Sequence, residues 1–316
     1  MKKKGVSLTM KTAFIFAGQG AQTVGMGKSL YDNSAAAKQI FDEADSILGW
    51  SVSDVCFNGP AEKLTESAYC QPAIYTVSMA CYAAFMERYG EKVQPCAAAG
   101  LSLGEYAAFA CAGFFTFADG LRLVAKRGEL MDQACRAAEG GMASVLGMAP
   151  EVIAEVCAEC GIDVANYNSP GQIVISGPKA LVTDAAAKLK EKGARRVVPL
   201  NVAGAFHSRM MKTAGDALAP VLEGTPVNGM TIPVAQNFTG KLESDAAAIK
   251  SNLQSQVAGS VRWDSCVNTL IGECGVEAFI EMGPGTVLSG LVRKIDSTKA
   301  VCNIGSLEDL EQYNCQ

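Results

Sequence analysis

The chain has 316 residues and a mass of 33.0 kDa, with 49% apolar and 19% charged residues, which fits one or two compact domains with a large core. A net charge of -5 and a pI near 5.1 exclude a global basic field for nucleic acid, and no apolar run reaches the roughly 18 residues of a membrane-spanning helix. A single histidine leaves a zinc site short of ligands, and 12 scattered cysteines with one CxxC, Cys157 and Cys160, read as buried thiols of a reducing cytoplasm.

The N-terminal "MKKKGVSLTM" is basic but lacks the apolar stretch of a secretory signal. Residues 1–10 are expected to be a flexible extension, with Met10 as an alternative start. "KTAFIFAG", Lys11 to Gly18, reads as a short apolar strand, and "QPAIYTVSMACYAAFMERYG" as a helix with Pro72 near its start and Gly90 past its end. A strand then runs into Ser102 and a helix runs out of it. A further helix, "FADGLRLVAKRGELMDQACRAA", follows. This alternation predicts a mostly parallel sheet covered by helices.

From about Gly141 the rhythm changes. "MASVLGM" reads as a strand and "PEVIAEVCAECG" as a helix opened by Pro150 and closed by Gly161. "IDVANYN" and "GQIVISG" read as two strands joined at Ser169-Pro170. "PKALVTDAAAKLKEKG" is a second helix and "ARRVVPLNV" a last strand. The order β-α-β-β-α-β is a ferredoxin-like unit. The expected organisation is a large α/β domain over 11–137 and 204–316, interrupted by a small α+β subdomain over 138–203. A cleft between the two is the expected place for a site.

Chemistry gathers on few residues. "GQGAQTVGMGKS" follows a strand and is glycine-rich. Thr23 spoils a dinucleotide fingerprint and Gln22 spoils a P-loop, so a tight turn is an equal reading. In "GLSLG", Gly100 and Gly104 flank Ser102 as a nucleophile elbow requires. A helix then starts beside the hydroxyl, and its first N–H groups, that of Leu103 among them, suit an oxyanion. A serine N-cap in a glycine turn is the plainer alternative. If imidazole activates Ser102, it must be that of His207, the single histidine, where the chain returns from the inserted unit. No orienting carboxylate stands out among Asp119, Asp132, Asp163 and Asp184, so a backbone carbonyl is an alternative partner for the ring. Arg127 fills the open position of an apolar stripe formed by Leu123, Val124, Leu130, Met131 and Ala134. A buried arginine needs an anion, either an internal carboxylate or a substrate carboxylate.

With "FAGQGAQTVGMG", "ESAYCQPAIYTVS", "GLSLGEYAAFACAG", "RLVAKRGELMDQA", "NYNSPGQIVISG", "GAFHSRMM" and "EMGPGTVLSGLVRKI", the chain resembles the malonyl-CoA:acyl carrier protein transacylases from about Thr12 to about Ile304. The resemblance implies a hydrolase-like large domain with a ferredoxin-like insert. It implies Ser102 as the acylated nucleophile, His207 as its base, and the Gln19 and Leu103 N–H groups as oxyanion hole. It further implies that the main-chain carbonyl of Gln256 orients the histidine, that Arg127 binds the malonyl carboxylate, and that Phe206 disfavours branched acyl groups. Two positions depart from the family pattern. Leu101 stands where histidine usually precedes the nucleophile, which bears on the polarity of the pocket rim. Ser260 stands where proline is frequent, and is expected to loosen the loop holding Gln256.

The activity implied is ping-pong transfer of malonyl from malonyl-CoA to the phosphopantetheine thiol of acyl carrier protein, in fatty acid synthesis, without metal or other cofactor. A serine thioesterase, and a carrier-protein-binding protein with impaired catalysis, are the rivals. The expected setting is the cytoplasm, as a monomer, with no nucleic acid or membrane partner. The basic segments Lys188 to Arg196 and His207 to Lys212 are candidate docking surfaces for an acidic carrier protein, or ordinary solvated faces.

Overall fold

The computed structural model of the protein describes residues 10–313. The extension expected over residues 1–10 lies outside the described residues except for Met10, which packs half-buried against the core. Ten strands occur among the described residues. They are β1 (Thr12–Phe16), β2 (Pro95–Gly100), β3 (Gly140–Leu146), β4 (Asp163–Ser169), β5 (Gln172–Pro178), β6 (Arg196–Pro199), β7 (Val234–Ala235), β8 (Val261–Arg262), β9 (Ala278–Met282) and β10 (Ala300–Ile304).

One sheet has the order β10-β9-β1-β2-β7 and every pair in it is parallel. Such a sheet must be covered on both faces, because its crossover helices lie there. Side chains alternate accordingly. Phe14, Phe16, Ala98 and Ile280 join the cluster on one face, and Ala13, Ile15, Ala99 and Phe279 join the cluster on the other. Trp263 and Leu288 help close the second face, from the helices Trp263–Glu273 and Val287–Ile295.

The second sheet has the order β6-β3-β5-β4-β8. Its first four strands pair antiparallel in ferredoxin-like order. Ala143, Val145, Ile173, Ile175 and Val197 turn to the helices Pro150–Cys160 and Lys179–Glu191 and form a core of their own. The opposite face carries Met142, Ser144, Asn166, Asn168 and Val174 and looks into the main body. A fifth strand, β8, comes from outside 138–203 and pairs parallel to β4. Just before it, the Ser260 hydroxyl donates to the Val164 carbonyl over 2.6 Å. The loosening expected at Ser260 is thus corrected, because the side chain ties the loop to β4.

One boundary moves for a tertiary reason. The helix read from Gln71 begins at Ser67 and runs to Tyr89, with Pro72 inside it. Its opening N–H groups, on Ser67 and Ala68, donate to the Asp132 carboxylate at 2.9 and 2.8 Å. That cap comes from a helix more than sixty residues away, so no local signal marks the start. No helix among the described residues is long and apolar enough to cross a membrane.

Candidate active site

Ser102 stands where β2 turns into the helix Gly104–Cys111. Its φ of 53° lies in the left-handed region, which costs a non-glycine residue about 1–3 kcal/mol unless the surroundings hold it. They do. The Ser102 N–H donates to Asn237 Oδ1 at 2.6 Å, and Asn237 Nδ2 donates to the Gly100 carbonyl at 2.8 Å. The flanking glycines are required by close approach. A Cβ at Gly100 would collide with the Gly104 carbonyl, and one at Gly104 with the Phe16 carbonyl. The hydroxyl therefore projects at the N-terminal end of an eight-residue helix, as the elbow reading expects.

His207 follows β6 in an irregular segment and also has a positive φ, 54°. Its Nε2 lies 2.7 Å from Ser102 Oγ, and its Nδ1 lies 2.8 Å from the main-chain oxygen of Gln256. Gln256 sits in the last turn of the helix Ala246–Ala258, where carbonyls lack intrahelical partners and can accept from outside. A carbonyl only accepts, so Nδ1 carries the proton and Nε2 is left to accept from Ser102. Burial, then the Arg127 cation, pushes the imidazole pKa down from 6.5 to about 4, against the carbonyl contacts of Gln256 and Gly259. Arg209, two residues on, grips Asp163 through Nε and Nη2 and anchors the segment to β4.

Arg127 lies on the helix Phe117–Ala137 and is 1% exposed. It meets no carboxylate directly. Nη1 donates to Gln71 Oε1 at 2.7 Å, and Nη2 donates to Gln256 Oε1 and to Ser102 Oγ, both at 2.9 Å. Its Nε–H is buried without a partner. The guanidinium carbon is 5.7 Å from the Tyr106 ring centroid. Desolvation lowers its pKa, and it stays charged because an arginine starts so high. Nη2 thus points at the serine, with the Tyr106 ring beside the guanidinium.

A cavity of about 450 Å³ opens over Ser102 and His207. Its walls include Gln19, Leu101 and Phe206, with Met142, Asn166 and Asn168 from the second sheet. The Gly18–Gln19 turn packs on the elbow, where a Cβ at Gly18 would come within 2.6 Å of the Leu101 carbonyl. Neither the Gln19 nor the Leu103 N–H donates to another backbone or side-chain group among the described residues. The Gln19 side chain joins a polar chain to Ser67 and Gln71 at 3.3 and 3.4 Å, behind Arg127. Leu101 is half-buried and packs on the apolar cluster of Ala13 and Phe279. Phe206 is 6% exposed.

The structure thus brings Ser102, His207, Arg127 and Gln256 into direct contact, with Gln19, Leu103 and Phe206 around them. The four aspartates weighed as orienting carboxylates are elsewhere. Asp119 belongs to the Thr116 cap, Asp132 caps the Ser67 helix, Asp163 holds Arg209, and Asp184 makes no contact with the site. Three residues escaped the sequence reading. Asn237 and Gln71 carry no signature. Glu105 does have one, since it is a charge in an otherwise apolar helix, the argument that singled out Arg127. Glu105 is 1% exposed, and burial pushes its carboxyl up to about 7, against hydrogen bonds from Gln256 and Asn237 and the Arg127 cation.

Comparison with known proteins gives this geometry a family. The acyl transferase domain model matches residues 13–308. The chain is 43% identical over 307 residues to the "Malonyl CoA-acyl carrier protein transacylase" of Bacillus subtilis, covering 95% of each chain. The protein of the same name from Staphylococcus aureus is 39% identical over 309 residues, with 96% of this chain and 98% of the relative covered. An acyl carrier protein S-malonyltransferase structure from Vibrio cholerae superposes with a TM-score of 0.91 at 39% identity, over 96% of this chain and 100% of that one. A malonyl-transacylase solved with its type II PKS acyl-carrier protein superposes at 0.90 with 36% identity, over 96% and 98%. The match spans nearly the whole chain and includes the elbow, the histidine and the buried arginine, and the chain belongs to the acyl transferase domain family.

Proposed function

We propose that the protein transfers malonyl from malonyl-CoA to the phosphopantetheine thiol of an acyl carrier protein, through a malonyl ester on Ser102. The observation that carries this reading is the meeting of two groups at one oxygen. Ser102 Oγ contacts His207 Nε2 at 2.7 Å and the buried Arg127 Nη2 at 2.9 Å. A serine–histidine pair suits acyl transfer in general, whereas a buried cation against the nucleophile suits an acyl group with a second carboxylate.

His207 takes the Ser102 proton as Oγ attacks the thioester carbon. The Gln19 and Leu103 N–H groups carry the developing oxyanion. The C–S bond breaks, and His207 returns the proton to the departing CoA sulfur. In the second half His207 takes the proton of the carrier's thiol, the sulfur attacks the ester carbon, the C–Oγ bond breaks, and His207 returns the proton to Ser102 Oγ. The distal carboxylate is held by the Arg127 guanidinium, displacing the Nη2 contact to Ser102. Burial is the larger cause of the His207 depression and Arg127 the second, and the carboxylate offsets that second one, which makes the imidazole a better base. Malonyl is thereby favoured over acetyl in rate as well as binding. Phe206 on the cavity wall excludes branched acyl groups. No step calls on a metal or redox cofactor.

The reading places the protein in fatty acid synthesis, in the cytoplasm. For carrier docking, Lys188 and Lys192 face Glu159 and Glu155, and Lys212 pairs with Asp216. Lys190, Arg195 and Arg196 are exposed and in no ion pair among the described residues, so the docking role falls to them.

Intact-protein mass after mixing with malonyl-CoA tests the proposal, with acetyl-CoA and Ser102→Ala in parallel. A malonyl adduct that needs Ser102 and clears on adding carrier protein is expected. Free CoA without an adduct would make the protein a thioesterase, and intact malonyl-CoA a binder without activity.

A further inference from the structure

The Ser102–His207 pair has no carboxylate of its own, yet the buried carboxylate of Glu105 reaches it through Gln256 and Asn237. Glu105 Oε2 accepts from Gln256 Nε2 at 2.7 Å and from the Asn237 N–H at 3.3 Å. Both partners are fully buried and both touch the nucleophile's surroundings. Asn237 Oδ1 holds the strained Ser102 N–H at 2.6 Å. Gln256 Nε2 also donates to the Ser102 carbonyl, and Gln256 Oε1 accepts from Arg127 Nη2, both at 2.9 Å.

These contacts fix the polarity of one amide. A side-chain amide has a donor end and an acceptor end of nearly equal shape. In the observed orientation the donor end meets two acceptors, Glu105 and the Ser102 carbonyl, and the acceptor end meets a cation. Turned over, its N–H groups would face the guanidinium and its oxygen would face two oxygens. Arg127 alone contributes one contact to this choice. Glu105 supplies the acceptor at the far end, and it can do so whether ionised or neutral, because a single oxygen, Oε2, receives both donors.

We propose that Glu105 is a positioning residue that acts through Gln256 to hold the Arg127 fork against Ser102, and so contributes to the choice of acyl group. This rests on the malonyl-transfer reading above. Glu105 touches no reacting atom. Its loss frees the Gln256 amide to turn, which leaves Arg127 short of a buried partner and its edge misaimed for a carboxylate.

The test is the ratio of kcat/KM for Ser102 acylation by malonyl-CoA and by acetyl-CoA, read by rapid-quench mass measurement. Glu105→Met removes the acceptor at similar volume and is expected to lower the ratio by about tenfold, a typical cost for a disturbed supporting shell. Glu105→Gln keeps an acceptor oxygen and is expected to keep the ratio within about threefold of the parent. In a Gln256→Ala background, Glu105→Met should add nothing further to the loss of selectivity, because the route is already cut. An unchanged ratio in Glu105→Met overturns the proposal, as does an equal fall for both acyl donors or additivity with Gln256→Ala. If Glu105→Met fails to fold, Gln256→Ala with Glu105 intact must show the same loss of ratio, and a parental ratio there overturns the proposal instead. The parent protein is measured alongside. No Ser102-dependent adduct on the parent defeats the malonyl-transfer reading itself, whereas a selective parent with an equally selective Glu105→Met defeats only the role of Glu105.

Discussion

The parallel sheet around β1 and the antiparallel sheet around β3 use their faces differently. The parallel sheet is buried on both sides, and β1 is closed from end to end. Its strand β2 is paired on both sides, by β1 and β7, and ends in the elbow, so Ser102 is set by an interior strand. The antiparallel sheet has one apolar face under two helices and one mixed face that walls the cavity. The groups that contact Ser102 Oγ come from the main body, and the small sheet contributes shape and polarity around them. Ser102, Arg127 and Gln256 sit on or at the ends of packed strands and helices, whereas His207 sits in an irregular segment that Arg209 ties to Asp163 of β4, so the small sheet also helps to hold the base.

That division can be broken from either side. Ser102→Ala should lower adduct formation by about 10⁴-fold or more, since no other group can take the acyl ester. Intact mass reads it, and a persistent malonyl adduct would move the nucleophile elsewhere. His207→Ala should cost about 10²–10⁴-fold. In the parent, the acid limb of the kcat/KM profile should fall near pH 4, because only neutral imidazole accepts the proton and its pKa is pushed down to about 4. A limb centred near 6.5 would mean that burial and Arg127 do not act on His207 as the geometry indicates. Arg127→Ala should cost about 2–4 kcal/mol in malonyl acylation and much less in acetyl acylation, as expected when a buried charged pair loses one member. Equal losses for the two donors would remove Arg127 from acyl selection.

The remaining predictions fall on the wall. Ile175→Ala, in the core beneath the small sheet, should destabilise the fold by about 2–4 kcal/mol in urea unfolding while the Ser102 adduct still forms. Loss of the adduct at full folding would show that the small sheet sets the chemistry after all. Ser260→Ala should cost about 1 kcal/mol. Its mark is faster hydrogen exchange at the β4–β8 junction, and unchanged protection there would leave the Val164 contact without mechanical weight.

Much of the site was legible before the fold. Glycines two residues on either side of Ser102 are a local steric requirement, and the collisions at Gly100 and Gly104 show why. A single histidine leaves one candidate for a base. Arg127 was visible as a charge inside an apolar stripe, although the stripe could not say what it faces. Glu105 is equally visible by that rule, as the one charge of an otherwise apolar helix, and only the fold shows that it faces Gln256 and Asn237. Asn237 was not legible, since an asparagine between β7 and the helix Ala246–Ala258 becomes a brace only when β7 lies beside β2.

The sequence by itself determined what is periodic or short-ranged. The alternation of strands and helices, the β-α-β-β-α-β insert and the elbow follow from hydrophobic spacing and steric demands within a few residues, and the base follows from there being a single histidine. Tertiary structure decided what depends on contacts between distant segments. It gave the Ser67 helix its cap from Asp132, added β8 to the small sheet, and turned Ser260 into a tie. It also aimed the Gln256 amide between Glu105 and Arg127. Such contacts have no local cost to read, because hydrogen bonds and charge pairs are satisfied by whatever the fold brings near.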